Sequence, residues 1–164
     1  MNYKVNNEYK CEFENVKRIG IGTGKIFYVY KDNMPFLSVE INLLIGDFFV
    51  DSIIVGEYLY IGNYYEGVYV INLKDFSFNN ISVDGYFGYF VKNQEYIYIL
   101  GCESIIAIDI DARFVWKSDS IAVDGIVCNG IEGHIMYISC EMDPPGGWED
   151  MKIDLLTGNI INSK

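Results

Sequence analysis

Short apolar runs separated by clusters of Gly, Asn and Asp recur along this chain, and the densest of them is Tyr96-Ile-Tyr-Ile-Leu100. It belongs to a repeat. Glu57-Tyr-Leu-Tyr-Ile61 matches Glu95-Tyr-Ile-Tyr-Ile99, and His134-Ile-Met-Tyr-Ile138 matches both, so Tyr60, Tyr98 and Tyr137 lie 38 and then 39 residues apart. Val83-Asp-Gly85 and Val123-Asp-Gly125 stand 40 residues apart and measure the same period independently. Strand-like units at this spacing are the signature of stacked β repeats, in which no unit buries its faces alone. Runs that are apolar at every position, rather than at alternate ones, predict strands covered on both faces.

The units can be followed in order. Residues 1–23 form a polar N-terminal segment with one candidate closing edge strand, Tyr9-Lys-Cys-Glu-Phe-Glu14. Gly20-Ile-Gly-Thr-Gly24 is read as a turn and not as a phosphate loop, because the strand-like Lys25-Ile-Phe-Tyr-Val-Tyr30 follows it where a phosphate loop needs a helix N-terminus. Residues 24–46 read as a hairpin turning at Asp32-Asn33, a degenerate first unit. Residues 47–84, 85–124 and 125–164 read as regular units. In the second unit strands are expected over 58–61, 68–71 and 76–78. In the third they are expected over 86–91, 96–100, 105–108 and 114–116. In the fourth they are expected over 135–139 and 151–153, separated by a long loop from Glu141 to Asp150. The expectation is a single all-β domain: a small four-bladed or open, partial β-propeller of antiparallel sheets with a period of about 40 residues.

Composition supports strands. Ile and Val number 24 and 13 against 8 Leu and 3 Ala, and β-branched side chains favour a pleated surface. A net charge of −11 argues against nucleic acid as a partner and favours a basic protein. Cys11, Cys102, Cys128 and Cys140 form no Cys-x-x-Cys pair, and the lone His134 completes no Cys/His zinc set, so buried free thiols are expected, with no metal and no cofactor. No apolar run approaches ~18 residues, which predicts no membrane span, and the N-terminus lacks the apolar core of a signal peptide. A cytoplasmic location fits both.

Ile105-Ile-Ala-Ile-Asp-Ile-Asp-Ala-Arg-Phe-Val-Trp-Lys117 resembles the repeat of quinoprotein-type β-propellers (PQQ-like, WD-like). There a strand ends in aspartate, a tight turn follows, and the next strand carries tryptophan. Ile153-Asp-Leu-Leu-Thr-Gly-Asn-Ile160 is similar, with Asn72 replacing the aspartate in the second unit. The resemblance covers residues 48–164 and implies a fold, not an activity, since sites are grafted onto such folds independently. The chain also resembles in type the small acidic immunity proteins that neutralise bacterial toxins.

Repeat alignment places Tyr64, Tyr65 and Glu66, then Glu103, then the loop with Glu141, Asp143, Trp148, Glu149 and Asp150 at one end of the molecule. Aromatic anchors within an acidic rim suit a basic protein partner. No residue is assigned a catalytic role: His134 occupies the repeat position of Glu57 and Glu95, while Asp84, Asp124, Asp109 and Asp154 recur at turns, where carboxylates accept backbone N–H bonds. Asp109 and Asp111 lack the spaced oxygen ligands of a calcium loop. The functional expectation is a non-enzymatic inhibitor, an immunity protein blocking the active site of a basic toxin such as a nuclease, acting as a monomer or weak dimer. The alternatives are a small-molecule or carbohydrate-binding module, or a hydrolase or lyase using loop carboxylates such as Asp143 and Glu149, and a propeller fragment that self-assembles.

Overall fold

The computed structural model describes residues 2–8, 16–21, 24–42, 49–93 and 95–161, and it is all-β: four sheets with no helix among the described residues. The first sheet holds β1 (Tyr3–Asn6), β2 (Lys17–Gly20), β3 (Gly24–Lys31) and β4 (Met34–Asn42) in the order β1-β3-β4-β2, with β2 parallel to β4. The second runs β5 (Val50–Val55), β6 (Tyr58–Asn63), β7 (Gly67–Asn72) and β8 (Phe78–Ile81). The third runs β9 (Phe87–Lys92), β10 (Tyr96–Gly101), β11 (Ile105–Asp109) and β12 (Phe114–Lys117). Both are antiparallel meanders in chain order. The fourth has three strands, β13 (Ile126–Glu132), β14 (Ile135–Asp143) and β15 (Gly147–Asp154), with one bridge from Ile153 to Ile160. The edge strand expected at 9–14 lies outside the described residues.

The continuous apolar runs do what their pattern demands. Successive side chains of a strand point to opposite faces, so β6 sends Leu59 and Ile61 into a core shared with the first sheet and Tyr60 into a core shared with the third. Likewise β10 sends Ile97 and Ile99 back toward the second sheet and Tyr98 and Leu100 forward toward the fourth. Three buried clusters join neighbouring sheets in sequence, and among the described residues no such cluster joins the first sheet to the fourth. The fourth sheet ends the series. In β14 only Met136, Ile138 and Cys140 are buried, whereas Tyr137, Ser139 and Glu141 share the other face with Lys152, Asp150 and Trp148 of β15.

The turns follow local chemistry. Asp32 and Asn33 both take positive φ (50° and 65°), the type I′ geometry that matches the twist of β3 and β4. At the hairpin ends, Asn72 Oδ1 accepts from Lys74 N, Asp109 Oδ1 from Asp111 N and Arg113 N, and Asp154 Oδ1 from Leu156 N, each at 2.9 Å. Two expected elements differ. The strand expected over 76–78 begins only at Phe78, because Phe76 closes the preceding turn at φ 64°. The long loop expected from Glu141 to Asp150 is instead a tight hairpin turning at 144–146, with Trp148, Glu149 and Asp150 inside β15.

The repeated tyrosines differ in one respect with a measurable consequence. The residue five positions earlier meets the hydroxyl in two of the three: Asn93 Nδ2 donates to Tyr98 Oη at 3.0 Å, and Tyr137 Oη donates to Glu132 Oε2 at 3.2 Å. The corresponding residue for Tyr60 is Val55, and the Tyr60 hydroxyl, on a side chain with no exposed surface, has no partner among the described residues. A buried hydroxyl without a hydrogen bond carries an uncompensated desolvation cost. Tyr60→Phe is therefore expected to raise stability by about 1 kcal/mol, while Tyr98→Phe lowers it by about as much. Urea denaturation of the two variants checks the contrast, and a destabilised Tyr60→Phe would refute it.

Candidate functional site

The end of the molecule bearing the hairpin turns at 64–66, 102–104 and 144–146 is tied together by the junctions between sheets. Phe87 N donates to Tyr64 O (3.2 Å), Cys102 N to Tyr86 O (2.8 Å), Gly125 N to Cys102 O (2.9 Å) and Val123 N to Glu141 O (2.8 Å), so each junction laces a turn of one sheet to the next. Tyr64, from the β6–β7 turn, stacks on Tyr86 with centroids 4.6 Å apart and planes 13° from parallel. Phe49 lies against both, 5.9 Å from Tyr64 and 5.8 Å from Tyr86. Tyr65 meets Tyr64 edge-on at 4.6 Å. Such stacks hold aromatic area in fixed geometry. Phe49, Tyr65 and Trp148 nonetheless remain 45%, 62% and 46% exposed.

A cavity of about 340 Å³ opens beside this stack, its lining including Phe49, Tyr86, Tyr89, Trp148, Asp124 and Glu141. Tyr86 Oη donates to Asp124 Oδ1 (3.1 Å) and to Asp124 O (3.0 Å), and Gly146 N donates to Glu141 Oε1 (2.7 Å). Burial, then the Asp124 carboxylate, pushes the Tyr86 hydroxyl well above its ordinary range, and burial followed by the negative field of Asp124 and Glu103 raises the Cys102 thiol. Both are held toward their protonated forms, so Tyr86 acts as a hydrogen-bond donor and the Cys102 thiol is disfavoured as a thiolate. Asp84 differs: Lys117 Nζ at 2.6 Å, against the opposing cost of burial and with help from the Ser104 hydroxyl, holds its carboxyl below the usual range. Asp84 and Asp124 thus tie the junctions between sheets to side chains distant in sequence, besides shaping their turns.

The residues expected at this end do not all meet. Tyr64, Tyr65, Trp148 and Glu141 belong to the turns and hairpin that gather here. Glu66 accepts from Tyr69 Oη at 3.4 Å, and Glu103 accepts from Ser120 Oγ at 3.3 Å. Asp143 lies opposite Gly147 near the hairpin tip. Because Trp148, Glu149 and Asp150 are consecutive in a strand, their side chains alternate: Asp150 shares the face of Trp148 and accepts from Ser139 Oγ at 2.6 Å, while Glu149 lies on the other face, paired with Cys140. Glu149 and Asp150 therefore cannot serve one surface, and Asp143 and Glu149 are not brought into the cavity as paired acids. Phe49, Tyr86, Tyr89 and Asp124 were not anticipated. The one signal for them was the repeated Val-Asp-Gly junction, which places Asp84 and Asp124 beside aromatic and turn positions.

A second, shallower concavity of about 660 Å³ lies across the outward face of the fourth sheet, lined by Asn129, Glu132, Tyr137, Asp150 and Lys152 among others. Asn129 Nδ2 donates to Ser139 Oγ at 2.8 Å, completing a short polar chain with Asp150. Among the described residues no group of three or more His, Cys, Asp or Glu side chains is placed to hold a metal ion, and no helix is long and apolar enough to cross a membrane. No protein-family model matches the chain, and no curated protein matches it at a significant level. Among solved structures the chain is similar, at 11% sequence identity and a TM-score of 0.31, to one described as the AfRom2 CNH domain, matching over 93% of this chain and spanning 63% of the length of that one.

Proposed function

We propose that this protein is a non-enzymatic binding module that grips a basic polypeptide at the aromatic end of the molecule, and that the four sheets are the blades of a small, open propeller presenting that end. The stacking of sheets through three successive cores supports the propeller reading. The observation that carries the binding reading is the gathering of exposed rings at this end: Phe49 and Tyr65, held against the Tyr64–Tyr86 stack, and Trp148, which lines the adjoining cavity with Asp124 and Glu141. Fixed aromatic anchors lose little conformational entropy on binding and are the residue types that dominate interface energies.

Charge favours a basic partner. Residues 47–164 carry 18 acids and six bases. Between 93 and 151 the only lysine or arginine residues are Arg113 and Lys117, each within ion-pair distance of a carboxylate, Asp111 and Asp84 respectively. A negative field of this kind speeds encounter with a cationic surface and screens out anionic ones. An immunity protein that occludes the active site of a basic toxin such as a nuclease is the specific form of this reading. Affinity purification of the tagged protein from its native cells, washed at low and at high salt, tests it. A stoichiometric basic polypeptide, lost at high salt and lost from a Trp148→Ala/Tyr65→Ala variant, is the expected result. Recovery of no polypeptide, or of one indifferent to salt and to the variant, overturns it.

A further inference from the structure

The geometry points to the 340 Å³ cavity as an acceptor for one guanidinium group, the arginine side chain of a partner. This rests on the protein-binding reading above and names the anchor that the partner presents. Three properties of the cavity select the ligand class. Its lining includes four aromatic rings, Phe49, Tyr86, Tyr89 and Trp148, and aromatic rings attract cations through the negative quadrupole of their faces. Its lining holds two carboxylates and no lysine or arginine, so an anion is repelled and a neutral apolar group leaves both carboxylates unanswered. Three of its lining positions, 88, 101 and 125, are glycines and put no side chain into the space.

The carboxylates are already oriented. Tyr86 Oη occupies Asp124 Oδ1 and Gly146 N occupies Glu141 Oε1, while Asp124 Oδ2 and Glu141 Oε2 accept no hydrogen bond among the described residues. A protein donor on the first oxygen of each orients the carboxylate and leaves the second to a ligand. A guanidinium meets this arrangement better than an ammonium. It is planar, so it stacks on a ring, and it offers several N–H donors in one plane with a weaker hydration shell to shed.

The test is an NMR titration of the ¹⁵N-labelled full chain with N-acetyl-arginine amide and, as its neutral isostere, N-acetyl-citrulline amide. Saturable shifts at the amides of residues 125–127 and at the Trp148 indole are expected for the arginine compound, with the citrulline compound at least about ten-fold weaker. Glu141→Gln is expected to weaken the arginine compound about five-fold. Trp148→Ala, its spectrum still dispersed as proof of folding, should lose the shifts at 125–127. Equal binding of the two compounds, or no saturable shift at these residues, overturns the inference. A salt-sensitive polypeptide that co-purifies while the arginine compound leaves these residues unmoved removes the cavity's role and leaves the binding module standing. Arginine binding here without any co-purifying polypeptide does the reverse.

Discussion

Gly62→Ala is expected to lower the unfolding free energy by about 3 kcal/mol, a loss opposite in sign to the usual gain from replacing a strand glycine, which is about 0.5–1 kcal/mol in favour of alanine. Gly62 sits in the middle of the second sheet with its missing side chain directed at the third, and a Cβ there would lie 2.0 Å from Phe87 Cζ and within 2.3 Å of both Cε atoms. The ring has nowhere to go. Phe87 is fully buried in the core between these sheets, its centroid is 4.9 Å from that of Phe90, and its amide is held by Tyr64 O. In the next interface the same space is divided differently: register puts Leu100 at the position of Gly62 and Ile126 at that of Phe87. Volume is conserved across the pair rather than at either residue. Gly62→Ala combined with Phe87→Leu should therefore recover most of the loss, with a coupling energy above about 1 kcal/mol in urea denaturation. A single variant within about 0.5 kcal/mol of the parent would mean that Phe87 does not seat on Gly62.

This exchange of volume bears on what a reader of the sequence can and cannot see. The strands around Tyr60 and Tyr98 are legible because both faces are buried, so every position is apolar and the run cannot be mistaken for a solvated edge. The turn roles of Asn72, Asp109 and Asp154 are legible because short carboxylates and amides bond their own backbone two residues on. β15 is not. Gly147-Trp-Glu-Asp150 lies on the last sheet, where one face meets solvent, so the ladder with β14 needs no apolar alternation and Pro144-Pro-Gly-Gly147 suggests a longer loop than forms. Phe76 misleads in the other direction: an aromatic reads as strand, yet Asn72 and the five-residue turn after it set its backbone. β1 and β2 are four residues each and polar or half-buried, leaving no pattern to read.

The site divides along the same line. Tyr64, Tyr65, Glu141 and Trp148 are reachable by aligning repeats, because equivalent turns emerge at one end. Phe49, Tyr86, Tyr89 and Asp124 come from junctions and first strands of different units, and only stacking brings them to one cavity. Their chemistry depends on neighbours that no local pattern specifies. Asp124 reads as a turn carboxylate, and its partner is the hydroxyl of Tyr86, 38 positions away.

Trp116→Ala should be the most damaging change, at about 4 kcal/mol, because one side chain closes the contact between the third and fourth sheets. The indole lies in β12 at 7% exposure, packs on Tyr98 at 5.8 Å, and donates from Nε1 to Leu155 O at 2.9 Å across the interface. Removing it opens a cavity and strands a carbonyl, two costs that add. The turn beneath is shaped for it: Gly158 takes φ 76°, and a Cβ there would come within 2.5 Å of Trp116 Cε3, so Gly158→Ala adds backbone strain to a clash with the same ring. In the preceding interface register places Asn79 where Trp116 stands, and there a cavity of about 280 Å³ is left, lined in part by Tyr58, Val70, Asn79 and Ala112. The comparison isolates what the tryptophan contributes. Trp116→Phe should retain most of the packing and lose the hydrogen bond, costing about 1–2 kcal/mol, and Gly158→Ala should cost about 3 kcal/mol. Urea denaturation measures all three, and near-ultraviolet circular dichroism reports whether the remaining aromatic core keeps its asymmetry. A Trp116→Phe variant as damaged as Trp116→Ala would shift the weight from packing to the hydrogen bond with Leu155, and a neutral Gly158→Ala would break the link between that turn and the indole.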